Sequence, residues 1–205
     1  MRRVPVALFA LIVSALPALA EPTTILALGD SLTAGLGLDP KAAFPARLEA
    51  TLKAKGRDVI ILNAGVSGDT ASQGEARLDW ALGDDVDGVI VELGANDALR
   101  GLPPEQAEAA LDTIVTKIKA RGLPVLLAGM KAPPNMGPDY VAAFDGMFPR
   151  LAAKHGVDLY PFFLDGVVAD AKFNQADGMH PNGAGVDVIV SRMLPAVEAL
   201  IAKVK

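Results

Sequence analysis

The amino-acid sequence predicts an α/β protein in which a doubly wound parallel sheet lies between two layers of helices. Short, continuous apolar runs recur along the chain, the pattern of strands covered on both faces. Between them lie segments with apolar residues at helical spacing, and such strand–helix alternation builds a parallel sheet with helices on both sides. With 205 residues, 51% of them hydrophobic and 5% aromatic, the chain suits one core, and 20 Gly and 15 Pro supply tight turns. No internal repeat, low-complexity tract or linker divides it.

The first twenty residues stand apart from this pattern. Arg2 and Arg3 precede the apolar run "VPVALFALIVSAL", and "PALA" ends in the small-x-small pattern Ala18-Leu19-Ala20. This reads as a secretory signal cleaved after Ala20, giving a periplasmic or secreted protein. A membrane anchor would need roughly 20 apolar residues, and this run is shorter and interrupted by Pro17.

The expected strands then follow in order: "TTILALG" (23–29), "DVIILN" (58–63), "DGVIVELG" (87–94), "LPVLLAG" (123–129) and "VDLYPF" (157–162). Helical spacing covers about 42–55, 70–82, 104–121, 138–155 and 183–203. All five strands are expected to be buried.

Charge and composition exclude several functions. The formal net charge is −5, and losing Arg2 and Arg3 with the leader makes the remainder more acidic. Phosphate backbones call for clustered Lys and Arg that this chain lacks, so nucleic acid is not an expected partner. With no Cys there can be no disulfide, thiolate nucleophile or cysteine metal site. Export remains compatible with that absence, because a core from about 185 residues needs no covalent staples.

In an open α/β sheet, ligands bind outside the carboxyl ends of the strands. Polar clusters stand at those places: "GDSLTAG" after the first strand, "NAGVSGDT" after the second, "GANDALRG" after the third, and "DGMHPNGAG" before the final helix. Read singly, each has a plain structural explanation. Ser31 could cap a helix, Asn96 could satisfy its own turn, and Asp177 with His180 could be a solvated loop pair. Small neighbours around Ser31, Gly29, Ala34 and Gly35, permit a sharp turn and close substrate approach. A hydrolytic serine needs an imidazole to accept its proton and a carboxylate to orient that imidazole. Of the two histidines, His155 ends "LAAKHG", where a cation suits a helix C-terminus, which leaves His180 as the candidate base.

Taken together, the four blocks resemble the SGNH (GDSL) hydrolases in order and spacing. The match is strongest to the bacterial branch of thioesterase I, protease I or lysophospholipase L1 and to the related arylesterases. It extends through "VELGANDALRGLP" and "YPFF" over nearly all of residues 21–205, which form the expected hydrolase domain. The resemblance implies a three-layer, flavodoxin-like sheet of order 2-1-3-4-5. It also implies Ser31 as nucleophile, Asp177 and His180 as the rest of a triad, and an oxyanion hole from Gly68, Asn96 and the Ser31 backbone. One departure is Ala95, where close relatives often carry glycine. Asp30, Asp69 and Asp97 are read as loop-fixing hydrogen bonders, and the loops 98–104 and 130–140 as pocket walls.

The activity implied is a serine esterase cleaving carboxylic esters through an acyl-enzyme, with thioesters and lysophospholipids as further substrates. An esterase on acetylated glycans and a non-catalytic binding module on the same fold are the alternatives. A phosphate-binding cradle at "GDSLTAG" is disfavoured by the acid inside it. No cofactor or metal is expected, and the chain should act as a monomer on a small acyl ester.

Overall fold

The computed structural model describes residues 21–204, so the leader read over 1–20 lies outside the described residues. Five parallel strands form one sheet in the order β2-β1-β3-β4-β5. They span Thr23–Gly29 (β1), Val59–Gly65 (β2), Gly88–Glu92 (β3), Val125–Ala128 (β4) and Asp158–Tyr160 (β5). The order is the one the family resemblance implied. β1 is central, pairing with β2 from Thr23↔Val59 to Gly29↔Gly65 and with β3 from Ile25↔Gly88 to Gly29↔Glu92. The register therefore brings the ends of three strands level at Gly29, Gly65 and Glu92.

Five long helices cover the sheet: α2 (Phe44–Ala54), α3 (Ala71–Ala81), α5 (Pro104–Ala120), α6 (Pro138–His155) and α7 (Gly183–Ile201). Each coincides with a segment of helical period to within a few residues. α2 packs against α7, while α3, α5 and α6 pack side by side on the other face. Ile25, Leu28, Val89, Ile90, Leu126 and Leu127 are buried between these layers. Phe44 and Phe163 meet edge to face with ring centroids 5.0 Å apart, a favoured arrangement of the ring quadrupoles.

Two expectations need correction. Only β1, β3 and β4 are buried throughout or nearly so; β2 exposes Ile60, and β5 is three half-buried residues. Both are edge strands with no neighbour on one side, so the layers close over them incompletely. The sequence periods also passed over two short helices, α1 (Ser31–Ala34) and α4 (Ala95–Leu99). These are too short to show a hydrophobic period, yet they carry Ser31 and Asn96.

Candidate active site

β1 runs into α1 through Asp30, and Asp30 rather than Ser31 is the cap: its Oδ1 accepts the Leu32 N–H at 2.9 Å. Ser31 is thus the first residue of the helix, free of capping duty. Gly35 closes α1 in the left-handed region at φ +80°, where a residue without Cβ meets no steric penalty. The turn is tight because Gly29 lacks a side chain; a Cβ there would lie 2.1 Å from Thr33 Oγ1.

The Ser31 hydroxyl lies 2.9 Å from His180 Nε2. His180 Nδ1 lies 2.6 Å from Asp177 Oδ2. The other carboxylate oxygen, Oδ1, accepts the backbone N–H groups of Met179 and His180 at 2.9 and 3.0 Å. Those two amides, then the imidazole, hold the exposed Asp177 carboxyl down to about 2. The loop bearing the pair is a turn before α7. It is closed by the Gln175 N–H on the His180 carbonyl at 2.8 Å and tied to the α1 side by Gln175 Nε2 on the Leu36 carbonyl at 2.7 Å.

The loops after β1, β2 and β3 are cross-linked by polar contacts. Asn96 Nδ2 donates to Asp30 Oδ2 at 3.1 Å and to the Asp69 carbonyl at 3.0 Å. Asp97 Oδ2 accepts the Ala71 N–H at 2.9 Å. Arg77 donates to Asp69 Oδ2 at 2.5 Å and to the Gly29 carbonyl at 2.9 Å. Asp30, Asp69 and Asp97 accordingly act as loop-fixing acceptors, as the sequence led one to expect. Burial pushes the Asp30 carboxyl up to about 6, against the pull of the Leu32 amide and Asn96.

Gly68 adopts φ +90°, a conformation that favours glycine, and its carbonyl accepts from Arg100 at 2.7 Å. Among the described residues, the N–H groups of Ser31 and Gly68 donate to no protein acceptor. Both are thereby open to a developing oxyanion. Asn96 is different, since both amide hydrogens are engaged; donating to an oxyanion requires it to release Asp30 or the Asp69 carbonyl.

Ser31, His180 and Asn96 open onto a cavity of about 590 Å³, within the range of small-molecule sites. Leu99, Met130, Pro134, Phe162, Leu164 and Val168 line it. Of the loops 98–104 and 130–140, only the first residues, 98–99 and 130–134, wall this cavity. The segment containing Phe162, Leu164 and Val168 forms a third wall that the sequence did not announce. Gln175, Arg77 and Arg100 were also missed, because each acts on a partner distant in sequence. Among the described residues no group of three or more His, Cys, Asp or Glu is placed to hold a metal ion. No described helix is long and apolar enough to cross a membrane.

The chain is similar in sequence and fold to known proteins. Residues 27–188 match the GDSL-like lipase/acylhydrolase family. The chain is 39% identical over 183 residues to esterase TesA of Pseudomonas aeruginosa, covering 89% of this chain and 91% of that one. It is likewise 39% identical to thioesterase 1/protease 1/lysophospholipase L1 of Escherichia coli K12, covering 89% and 86% of the two chains. The crystal structure of AlinE4, an SGNH-hydrolase family esterase, superposes with a TM-score of 0.75 at 44% identity, covering 89% of this chain and 98% of that one. With four sequence blocks, the sheet order and these likenesses in agreement, the chain belongs to the GDSL-like lipase/acylhydrolase family.

Proposed function

We propose that the protein is a serine esterase working through an acyl-enzyme, with Ser31, His180 and Asp177 as its triad. The observation that carries this reading is the continuous path from the Ser31 hydroxyl through His180 to Asp177, at 2.9 and 2.6 Å, beside an apolar cavity. Ser31 Oγ attacks the ester carbonyl while His180 Nε2 takes its proton. The tetrahedral oxyanion is received by the N–H groups of Ser31 and Gly68 and by the Asn96 amide. Collapse breaks the ester bond, and His180 returns the proton to the departing alcohol. Water then attacks the acyl-serine with His180 again as base, releasing the acid and restoring Ser31. Asp177 keeps the imidazole in one tautomer and stabilises its protonated form.

The lining favours acyl or aryl esters over an acetylated glycan, whose hydroxyls would face Leu99, Met130 and Phe162 without partners. Thioesters and lysophospholipids enter the proposal through the names of the relatives. The leader in residues 1–20 supports a periplasmic or secreted enzyme whose domain spans 21–205. A fluorophosphonate probe tests the reading: a covalent adduct on Ser31 is expected, together with turnover of p-nitrophenyl esters of graded chain length. An unlabelled, inactive but folded protein would instead mark a binding module.

A further inference from the structure

One acid under the catalytic turn has no part in that chemistry. Glu92 ends β3 opposite Gly29 and is wholly buried. Its Oε2 accepts the Thr33 hydroxyl at 2.7 Å, and its Oε1 has no hydrogen-bond partner among the described residues. Gly29, Thr33 and Glu92 fill one space: a Cβ on Gly29 would lie 2.1 Å from Thr33 Oγ1 and 2.7 Å from Glu92 Oε2. Thr33 is itself buried and sits two residues beyond Ser31 in the four-residue helix α1. A shift of this hydroxyl therefore moves the short element that carries the proposed nucleophile.

We propose that Glu92 is a positioning residue, whose carboxyl takes the Thr33 hydroxyl and so holds the turn that aims Ser31 at His180. The inference rests on the reading of Ser31 as nucleophile. Glu92 does this as a neutral acid. Complete burial without a cation makes the ionised form costly. Asp30 adds like charge, and Arg77, which reaches the same strand end, is directed to Asp69 and the Gly29 carbonyl. Burial first, then Asp30, pushes the Glu92 carboxyl well above its ordinary range, and the Thr33 hydroxyl, the chief opposing influence, offsets only part of that. A neutral Glu92 also leaves Asp30 free to stay anionic toward Asn96.

Glutamine has the same shape, no charge and an acceptor for Thr33, so Glu92→Gln should keep kcat within about threefold of wild type, whereas Glu92→Leu should lower it at least about tenfold at unchanged KM. Thr33→Val should match Glu92→Leu, Thr33→Ser should retain most activity, and the Glu92→Leu/Thr33→Val double variant should be no worse than either single change. Infrared difference spectra of wild type against Glu92→Gln at neutral pH should show the carbonyl stretch of a protonated carboxylic acid. The inference is overturned if Glu92→Gln falls as far as Glu92→Leu, if a folded Glu92→Leu turns over normally, or if that band is missing. Should Glu92→Leu not fold, the Thr33 pair decides: equal turnover by Val and Ser overturns it. Labelling of the wild type separates the two readings. No adduct on wild-type Ser31 removes the nucleophile assignment, whereas equal labelling of wild type and Glu92→Leu removes only the role of Glu92.

Discussion

His180 Nε2 stands 2.9 Å from the Ser31 hydroxyl oxygen across 149 positions of sequence. Because the same imidazole meets Asp177 through its other nitrogen, its tautomer is set with Nδ1 protonated and Nε2 open as acceptor. The second histidine is an internal control. His155 ends α6, and its Nε2 pairs with Asp112 Oδ1 of α5 at 2.6 Å. His180→Ala should remove nearly all esterase activity and slow fluorophosphonate labelling, with circular dichroism unchanged. His155→Ala should leave turnover intact and cost about 1 kcal/mol of stability. Equal losses of activity from both would refute the triad.

Asn96→Ala should lower kcat roughly a hundredfold to a thousandfold with little change in KM, because the proposed role of its amide is to receive charge that develops in the transition state. Asp30→Asn should act in the same direction more weakly. It leaves a cap acceptor for Leu32 but turns the Oδ2 partner of Asn96 into a second donor. An effect of either change confined to KM would contradict the oxyanion role.

Asp30 and Asp177 should tilt stability in opposite directions with pH. The Asp177 carboxyl lies at about 2 in the fold against an ordinary 3.8, so its contribution is complete above 3.8 and lost as pH falls through about 2. Asp30 is raised from 3.8 to about 6, so its contribution is complete below 3.8 and lost as pH rises through about 6. Tm measured against pH checks both. The advantage of wild type over Asp177→Asn should shrink at the acid end, and that over Asp30→Asn should shrink between pH 3.8 and about 6.

Gly29→Ala should be among the costlier methyl additions in the chain. Its Cβ would strike Thr33 Oγ1 at 2.1 Å and Glu92 Oε2 at 2.7 Å, in a packed interior where such insertions cost about 1–3 kcal/mol. Chemical denaturation should show that loss, with kcat falling as α1 shifts. At Gly56, where an added Cβ meets nothing within 4 Å, Gly56→Ala should leave kcat unchanged despite its positive φ.

The sequence by itself determined the strand–helix alternation, the five long helices, and the place of three polar clusters at strand ends and of a fourth before the final helix. These follow from apolar period and local turn chemistry, which act over a few neighbouring residues. It also limited the base to His180, since His155 sits in a helix-ending context. Family resemblance supplied the sheet order, which periodicity cannot encode. Tertiary structure decided whatever depends on approach between distant segments. It made Asp30 the cap in place of Ser31. It engaged both Asn96 hydrogens with Asp30 and the Asp69 carbonyl, and tied the His180 loop back through Gln175 to Leu36. It left β2 and β5 half-covered as edges. Above all it buried Glu92 beneath the turn of Ser31, where the side chain that reads as one acid in an apolar run is closed off from solvent with no cation beside it. A residue's protonation and its partners are properties of the space around it, and only the closed sheet creates that space.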